Sequence, residues 1–561
     1  DILGKTLILP IVGREIPLIA DDYCEIGFGT GAVKITPAHD PNDFEVGLRH
    51  NLDVIRVMDD SGIMNENAGK YQGLTRDECR QKIVEDLKEQ GFLVKIEPYK
   101  HNVGECYRCK NVVEPMVSKQ WFVSMKPLAK PAIKAVKSKR IEFIPTRFEK
   151  IYFNWMENIR DWCISRQRYF GVPFPVWYCA KCGKTHFAAI EDLPVNPLET
   201  EYRGVCECGC TEFVPEKAVL DTWATSSISP MINWDKAGEY GVAEDFMPMS
   251  MRTQAHEIIR TWAFYTIVKS LYHTGDIPWK DMMICGFVLA KPGEKISKSK
   301  GNSKLTPQAL VDTYSADIIR YWSASARLGT DTFFDQQEMQ DASKRLITKL
   351  WNSSKFVLSH LSDFDPAYTP ERLKPIDRWL IERTNATILE AQKWLDQYEI
   401  GLARKVIDDL FWKDLCDNYI EIAKERLYEP DIHGHEARRS AQYAIYYCLL
   451  NVLKMYAIYI PHETEYIYQK GFKDFVGSIS IHLTEWAKPG AVDAELIEFG
   501  EIVKDFIAGV RKYKSENNLS MRAEMDEAAV TCPQKYREWF LDSEKDFLAC
   551  THAKKIRYEF I

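Results

Sequence analysis

The spacing of apolar residues changes near residue 341, and this change limits the folds that the chain can adopt. From that point on, apolar residues recur at helical intervals, as in Leu346, Leu350, Val357 and Leu361. Before it, short β-like runs alternate with turns rich in glycine, proline and aspartate. We therefore predict a helical bundle over 341–561, preceded by β-rich and mixed α/β structure.

Composition places the chain among folded proteins of several domains. Its 561 residues suffice for roughly three or four domains, and 45% of them are hydrophobic. The net charge is -8, so contacts with nucleic acid must use local basic patches rather than the overall charge. The sequence contains neither a recognisable secretion signal nor an apolar run near the roughly 18 residues of a membrane span. These features predict a cytoplasmic protein without a membrane partner.

Residues 1–140 predict a β-rich domain that includes one clear helix. Strands are expected at 7–9, 32–35 and 54–57. A helix is expected over 75–89, because Thr75 can cap it and Glu78 stands three residues on, as in a capping box.

A lysine-rich segment at 295–302 reads Lys-Ile-Ser-Lys-Ser-Lys-Gly-Asn. Small and polar residues separate its three lysines, so a loop here can place ammonium groups against the oxygens of a polyphosphate. Thr306 and Pro307 then offer a cap and first turn for a following helix. A solvated basic loop is the alternative for a generic run of this composition.

A second polar segment spans residues 29–44 and reads Gly-Thr-Gly-Ala-Val-Lys-Ile-Thr-Pro-Ala-His-Asp-Pro-Asn-Asp-Phe. Its glycines allow close backbone approach, and the residues that follow can hold an ammonium group and steer a water towards an ester. In the alternative interpretation this is a polar turn whose aspartates cap the next helix, with Asp43 before Phe44.

Cysteines form two short-spaced pairs, Cys179 with Cys182 and Cys206 with Cys208. Two thiolate pairs of this kind suit a tetrahedral, structural zinc ion, so we predict a zinc ribbon over 178–213. Cys210 competes with Cys206 for the fourth position. Cys106 and Cys109 form only half a site, and metal binding there is left open.

The order of residues in the lysine-rich segment resembles the KMSKS signature of class I aminoacyl-tRNA synthetases, with Ile296 in the methionine position. Residues 29–44 resemble the editing domain of the valyl members of that family. Further similarity lies at 154–171, 220–227 and 252–262.

This resemblance implies an α/β fold: the second half of a Rossmann-type catalytic domain with a β-rich editing insertion, a zinc ribbon and a C-terminal α-helical anticodon-binding bundle. The implied limits are 1–140 for the editing part, 141–340 for the catalytic part and 341–561 for the anticodon-binding part.

The same resemblance implies roles for individual residues. Lys295 and Lys298 would be catalytic and, with Ser297 and Ser299, would bind ATP. Trp223, Gln254 and Glu257 would line the amino-acid pocket. The editing pocket would be formed by Lys34, Thr36, Asp40 and Asp43. The zinc site would be formed by Cys179, Cys182, Cys206 and Cys208.

The implied activity is ATP- and Mg²⁺-dependent activation of valine, its transfer to tRNA(Val), and hydrolysis of mischarged Thr-tRNA(Val). Editing is needed because an apolar pocket rejects the extra hydroxyl of threonine by only about a hundredfold. The sequence does not contain the family's His-x-Gly-His motif, since residues 432–435 read Ile-His-Gly-His. We therefore expect the missing N-terminal half of the same enzyme as a partner. The alternatives are an isoleucyl-type enzyme and a non-catalytic tRNA-binding relative.

Overall fold

The computed structural model describes residues 2–25, 27, 29–106, 109–296, 301, 306–366 and 372–561. Two compact units are present. The first comprises residues 1–123 and 163–165, and the second comprises residues 124–162 and 166–561.

The first unit consists of short elements joined by long connections. They are β1 (Thr6–Ile8), β2 (Glu15–Pro17), α1 (Pro41–His50), α2 (Arg76–Glu89) and β3 (Phe122–Val123). β1 and β2 pair in antiparallel fashion, with Leu7 opposite Ile16. The predicted helix over 75–89 is confirmed, because Thr75 caps α2 and forms the expected capping box with Glu78.

Two of the strands predicted in this unit are absent. Residues 32–35 and 54–57 have no regular secondary structure, and Val33 and Val54 are exposed. A strand needs a partner that satisfies its backbone groups, and no described strand forms a ladder with either run. Apolar alternation alone was therefore insufficient to predict these elements.

Mixed α/β structure fills residues 125–333. The elements are α3 (Met125–Lys137), β4 (Glu142–Ile144), α4 (Glu149–Glu157), β5 (Trp162–Cys163), β6 (Ser165–Arg166), β7 (Val176–Cys179), β8 (Thr185–Phe187), β9 (Phe213–Pro215), β10 (Val219–Leu220), α5 (Thr222–Ser226), α6 (Ser229–Glu239), β11 (Met249–Ala255), α7 (Trp262–His273), β12 (Trp279–Cys285), β13 (Val288–Lys291), β14 (Glu294–Lys295), α8 (Pro307–Tyr314), α9 (Ala316–Ser323) and β15 (Thr332–Phe333).

A parallel sheet with strand order β11–β12–β4 organises this region. Its central strand β12 buries Trp279, Met282 and Ile284, as expected for a parallel strand covered on both faces. Ala255 lies opposite Cys285, so the carboxyl ends of β11 and β12 share one edge. Ligands bind outside this edge in open α/β sheets, and two predicted pocket residues lie here, Gln254 on β11 and Glu257 just after it.

Two residues, Gly286 and Phe287, separate β12 from β13: β12 ends at Cys285 and β13 begins at Val288. A Cβ atom at Gly286 would collide with the backbone oxygen of Thr330, so only glycine allows this approach.

Helices dominate the rest of the chain, as predicted. They are α10 (Gln336–Asp341), α11 (Thr348–His360), α12 (Pro375–Asp396), α13 (Ile400–Asp409), α14 (Ile420–Tyr428), α15 (Pro430–His433), α16 (His435–Tyr456), α17 (Pro461–Gly471), α18 (Lys473–Val476), α19 (Ala494–Glu516), α20 (Arg537–Asp542) and α21 (Glu544–Thr551), with π-helical segments at Ala342–Ile347 and Leu410–Tyr419. The residues predicted to share one face, Leu346, Leu350, Val357 and Leu361, are all buried.

The helical region also contains a parallel strand pair that the sequence analysis missed. It consists of β16 (Ala528–Cys532) and β17 (Ile556–Phe560). Its signal was short: residues 528–532 alternate between buried and exposed positions over only five residues.

A buried charge network joins the helices of this region. Two nitrogens of the Arg426 guanidinium each lie 2.7 Å from an oxygen of the Asp377 carboxylate. The Tyr419 hydroxyl donates to the same carboxylate at 2.6 Å, and Asp546 lies 3.1 Å from Arg426. Arg426 and Asp377 have no exposed side-chain surface, so each depends on the other for compensation of its charge.

None of the helices in the described ranges combines the length and the apolar character that a membrane crossing requires.

Candidate functional site

Gln254 lies at the carboxyl edge of the parallel sheet, on β11. Its side chain is only 6% exposed, and neither its amide nitrogen nor its amide oxygen has a hydrogen-bond partner in the described part of the chain. An unpaired buried amide costs free energy unless a ligand or water satisfies it. Gln254 is therefore well placed to contact a polar ligand at this edge.

Lys295 and Glu257 meet at the same edge. The Lys295 ammonium lies 3.0 Å from a Glu257 carboxylate oxygen and 4.0 Å from the centre of the Phe287 ring. The ion pair and the cation–π contact together hold the start of the lysine-rich segment beside the sheet. Ser297, Lys298 and Ser299 lie outside the described residues.

Trp223 stands in the first turn of α5, and its side chain is partly exposed. The carboxylate of buried Asp221 caps this helix by accepting from the Trp223 backbone N–H at 3.3 Å. Asp221 also accepts from the indole N–H of Trp162 at 3.2 Å and lies 3.1 Å from Arg166. This arrangement fixes Trp223 at the start of the helix.

Sequence reasoning missed Asp221 and His256. Asp221 precedes α5 in the position typical of an N-cap, which was a usable signal. His256 follows β11, and its ring lies 5.0 Å from that of Phe287 and 6.1 Å from that of Phe148. Its buried Nδ1 atom has no partner among the described residues, and no sequence pattern pointed to this contact.

The four predicted editing residues lie together in the first unit. The Lys34 ammonium donates to the Thr36 hydroxyl at 3.2 Å, and the Thr36 backbone N–H donates to the Asp43 carboxylate at 2.7 Å. Asp40 caps α1 by accepting from the backbone N–H groups of Asn42 and Asp43. The capping residue is thus Asp40, whereas the polar-turn interpretation placed the cap at Asp43.

His39 is held between two backbone groups in the same segment. Its Nε2 accepts from the Val57 N–H at 3.1 Å, so Nδ1 carries the proton and donates to the Pro115 carbonyl at 3.2 Å. Both ring nitrogens are hydrogen-bonded to the backbone, so His39 stabilises the turn and neither nitrogen is available to act as a base.

Cys179, Cys182, Cys206 and Cys208 come together, with all four sulfur atoms within 4.8 Å of one another. The strands β7, β8 and β9 form an antiparallel sheet that carries the first pair at the end of β7. The sulfurs of Cys179 and Cys208 lie 3.5 Å apart, as do those of Cys182 and Cys206. Cys210 instead points to the carbonyl of Glu212 at 3.5 Å. In this geometry Cys206, not Cys210, joins the cluster.

The protein environment separates the acidities of these thiols. Backbone N–H groups, first that of Cys182 and then that of Lys181, lower the pKa of Cys179 to about 6. The backbone N–H of Cys210 lowers the pKa of Cys208, but desolvation and the three neighbouring thiols outweigh it and raise the value to about 12. A cation is needed before all four can ionise together.

The described residues contain no second group of three or more metal-binding side chains. The Cys106 carbonyl accepts from the backbone N–H of Lys110 at 2.8 Å, and Cys109 is exposed. Among the described residues no further candidate ligand joins Cys106 and Cys109, so they form no more than half of a metal site.

Known proteins provide an independent comparison. A family profile described as "tRNA synthetases class I (I, L, M and V)" matches residues 44–335, and one described as "Anticodon-binding domain of tRNA ligase" matches residues 377–530.

The "Valine--tRNA ligase" of Carboxydothermus hydrogenoformans is 41% identical over 525 residues, which are 92% of this chain and 57% of that protein. The one of Methanothermobacter thermautotrophicus is 39% identical over 532 residues, 94% of this chain and 58% of that protein. The one of Methanocaldococcus jannaschii is 38% identical over 558 residues, 98% of this chain and 60% of that protein.

The chain thus spans 57% to 60% of the length of these three relatives. The first profile spans the mixed α/β region together with residues 44–124, and the second lies within the helical region, which confirms the predicted fold class. Since the first profile covers more than half of the residues, this chain belongs to the class I tRNA synthetases of the I, L, M and V group.

Proposed function

We propose that this chain is part of a valine--tRNA ligase, which activates valine with ATP and Mg²⁺ and transfers it to tRNA(Val). The observation that carries the proposal is its identity of 38% to 41% to ligases of that name along at least 92% of its residues. We assign residues 1–140 to editing, 141–340 to the catalytic domain and 341–561 to anticodon binding. The cytoplasm is the compartment that this activity implies.

The edge of the parallel sheet offers the groups that adenylate formation needs. Negative charge moves between phosphate oxygens during this reaction, and preorganised cations lower its barrier. Lys295 lies at this edge beside Glu257, and the resemblance assigns Lys298 the neighbouring role. Gln254 supplies an unsatisfied amide for the amino acid or its adenylate, and the resemblance assigns Trp223 the apolar wall of the pocket. A His-x-Gly-His motif would come from a segment outside this sequence.

For the editing reaction, Lys34, Thr36, Asp40 and Asp43 are the proposed pocket. The buried Asp43 carboxylate, held by the Thr36 N–H, has a fixed position from which to pair with the ammonium of a mischarged threonyl group. Asp40 and Thr36 set the turn around it.

The proposed structural zinc ion would be held by Cys179, Cys182, Cys206 and Cys208. Zn–S bonds of about 2.3 Å in a tetrahedron place sulfurs about 3.8 Å apart, and the observed separations bracket this value. Four protein ligands leave no open position, so the ion would stabilise the ribbon and take no part in catalysis.

A matched pair of variants tests the zinc proposal. Cys208→Ser should abolish binding of one zinc ion per chain and loosen the ribbon, whereas Cys210→Ser should leave zinc content unchanged. Metal analysis of the purified proteins measures both. Equal zinc loss in the two variants would mean that the ligand set is wrong.

Aminoacylation by the gene product that contains this chain tests the function. Valine should be attached to tRNA(Val), with isoleucine and tRNA(Ile) as the matched pair of poor substrates. Preferential attachment of isoleucine would support the isoleucyl-type alternative. Binding of tRNA(Val) without attachment of any amino acid would support the non-catalytic alternative.

A further inference from the structure

Helix α5, which carries Trp223, is too short to be stable by itself. It extends over five residues, Thr222–Ser226. Isolated helices shorter than about 12 residues are marginal in water, and the last carbonyls of any helix lack partners within it. The position of α5 is therefore determined by contacts with other parts of the chain.

Helix α7 supplies two donors to the carbonyls of α5. The Lys269 ammonium donates to the Ala224 carbonyl. The indole N–H of Trp262 donates to the Ser226 carbonyl at 2.9 Å. Trp262 and Lys269 are separated by about two turns of α7, so both lie on the same face of this helix. α7 thus holds the C-terminal turn of α5 at two points, while Asp221 caps the N-terminus.

Lys269 is half-buried, so the charge of its ammonium needs compensation. Burial lowers the pKa of Lys269, and the charge of Asp221 opposes this effect only in part. Asp221 forms its own ion pair with Arg166 at 3.1 Å. The Lys269 ammonium also lies 6.0 Å from the centre of the Trp162 ring, near the outer limit of a cation–π contact. A hydrogen bond from this ammonium to the Ala224 carbonyl is favoured in such surroundings, because a buried charge is costly without paired N–H groups.

We propose that Lys269 is a positioning residue for the amino-acid pocket: it holds α5 so that Trp223 keeps a fixed place in the pocket wall. Ala224 directly follows Trp223, so a shift of the held carbonyl displaces the tryptophan with it. Lys269 acts through the backbone of α5 and not by contact with the substrate. The inference rests on the proposed function, since the pocket role of Trp223 comes from the resemblance.

Valine-dependent exchange of pyrophosphate with ATP, in the gene product that contains this chain, tests this role. Lys269→Met keeps a long side chain but removes the charge and the N–H donors. The KM for valine should rise about tenfold or more, because a charge-assisted hydrogen bond that orders the pocket wall is lost. The kcat and the KM for ATP should change less than about twofold, since α5 is not expected to contact the phosphates.

Two further variants provide the controls. Lys269→Arg retains a cation with N–H donors and should restore most of the affinity for valine. Lys236→Met changes an exposed lysine of α6 in the same way and should leave both KM values unchanged. Equal effects of the methionine and arginine variants would mean that the cation and its donors do not matter, which would overturn the proposal.

Hydrogen exchange of backbone amides in the same proteins separates this inference from the proposed function. The amides of Ala224, Thr225 and Ser227 form hydrogen bonds within α5. In Lys269→Met these amides should exchange about tenfold faster, whereas those of residues 263–268 on α7 should be unchanged. Unchanged amide exchange in α5, or faster amide exchange with an unchanged KM for valine, would overturn the proposal. A wild type without valine-dependent pyrophosphate exchange would contradict the proposed function and the pocket role with it, while amide exchange would still show whether Lys269 holds α5.

Discussion

The helical region and the first unit differ in how they use apolar residues. In the helical region, one continuous core contains residues without exposed surface on α12, α16 and α19, such as Ile388, Leu449 and Val503. In the first unit, a buried cluster consists of Ala68, Tyr71 and Cys79 with a few partly buried neighbours. Val94 of this unit is 92% exposed and Tyr99 is 80% exposed. Apolar content alone therefore does not produce a core; elements must present apolar faces to one another.

The difference has an energetic consequence. Stability in a folded region comes mainly from apolar area removed from water, at about 25 cal/mol per Å². The helical region should accordingly lose much free energy when a buried group is removed, and the first unit little when one of its exposed apolar side chains is changed. Three experiments can break or sharpen this comparison.

The largest effect is expected for Asp377→Ala. This change leaves the Arg426 guanidinium buried with one carboxylate partner fewer and also removes the acceptor for Tyr419. Removal of one partner from a buried ion pair costs about 3–5 kcal/mol in the free energy of unfolding. Urea denaturation followed by far-ultraviolet circular dichroism measures it, with exposed Asp474→Ala as the control. A loss of less than about 1 kcal/mol in the free energy of unfolding would contradict the conclusion that Asp377 compensates the buried charge of Arg426.

An intermediate effect is expected from pH acting on His360 in α11. Burial, with a contribution from Arg438, lowers the pKa of His360 below its ordinary value of 6.5. Below pH 6.5 the unfolded chain then binds a proton that the folded chain resists, so folding stability should fall as the pH drops and should level off below the folded-state pKa. The slope cannot exceed about 1.4 kcal/mol per pH unit for one proton.

His360→Phe provides the control for this experiment. Phenylalanine fills a similar volume beside Phe356 and Tyr428, and it has no proton to bind. The difference in pH dependence between the two proteins isolates His360, and identical profiles would remove it from the account.

The smallest effect is expected for Val94→Ala in the first unit. Val94 is almost fully exposed, so the change should alter the free energy of unfolding by less than about 0.5 kcal/mol. Val452→Ala, at a fully buried position on α16, should cost about 2 kcal/mol by the same measurement. Equal costs would mean that the contrast between the two regions does not hold in solution.

Local signals in the sequence predicted local structure well. Thr75 and Glu78 determined the start of α2 because a capping box acts within one turn. Thr306 likewise caps α8 through its side chain, as predicted. The buried stripe of Leu350 and Val357 on α11 followed from helical periodicity.

Features that depend on contacts between residues far apart in the chain could not be predicted from the sequence. The strands predicted at 32–35 and 54–57 lack a described partner, which periodicity cannot reveal. Asp221 meets Trp162 across 59 positions, so no local window contains this contact. The cysteine spacing predicted the cluster, yet only the geometry separates Cys206 from Cys210. Gln254 was found from the resemblance, and the unsatisfied amide is a structural reason to expect a ligand there.

Amino-acid-dependent exchange of pyrophosphate with ATP tests the central proposal most directly. In the gene product that contains this chain, exchange should depend on valine and should fall about 10²–10³-fold in Lys298→Ala, because one cation that stabilises the developing charge is lost. The control Lys280→Ala changes an exposed lysine of β12 and should leave exchange intact. Full exchange in Lys298→Ala, or exchange driven by isoleucine in preference to valine, would contradict the account.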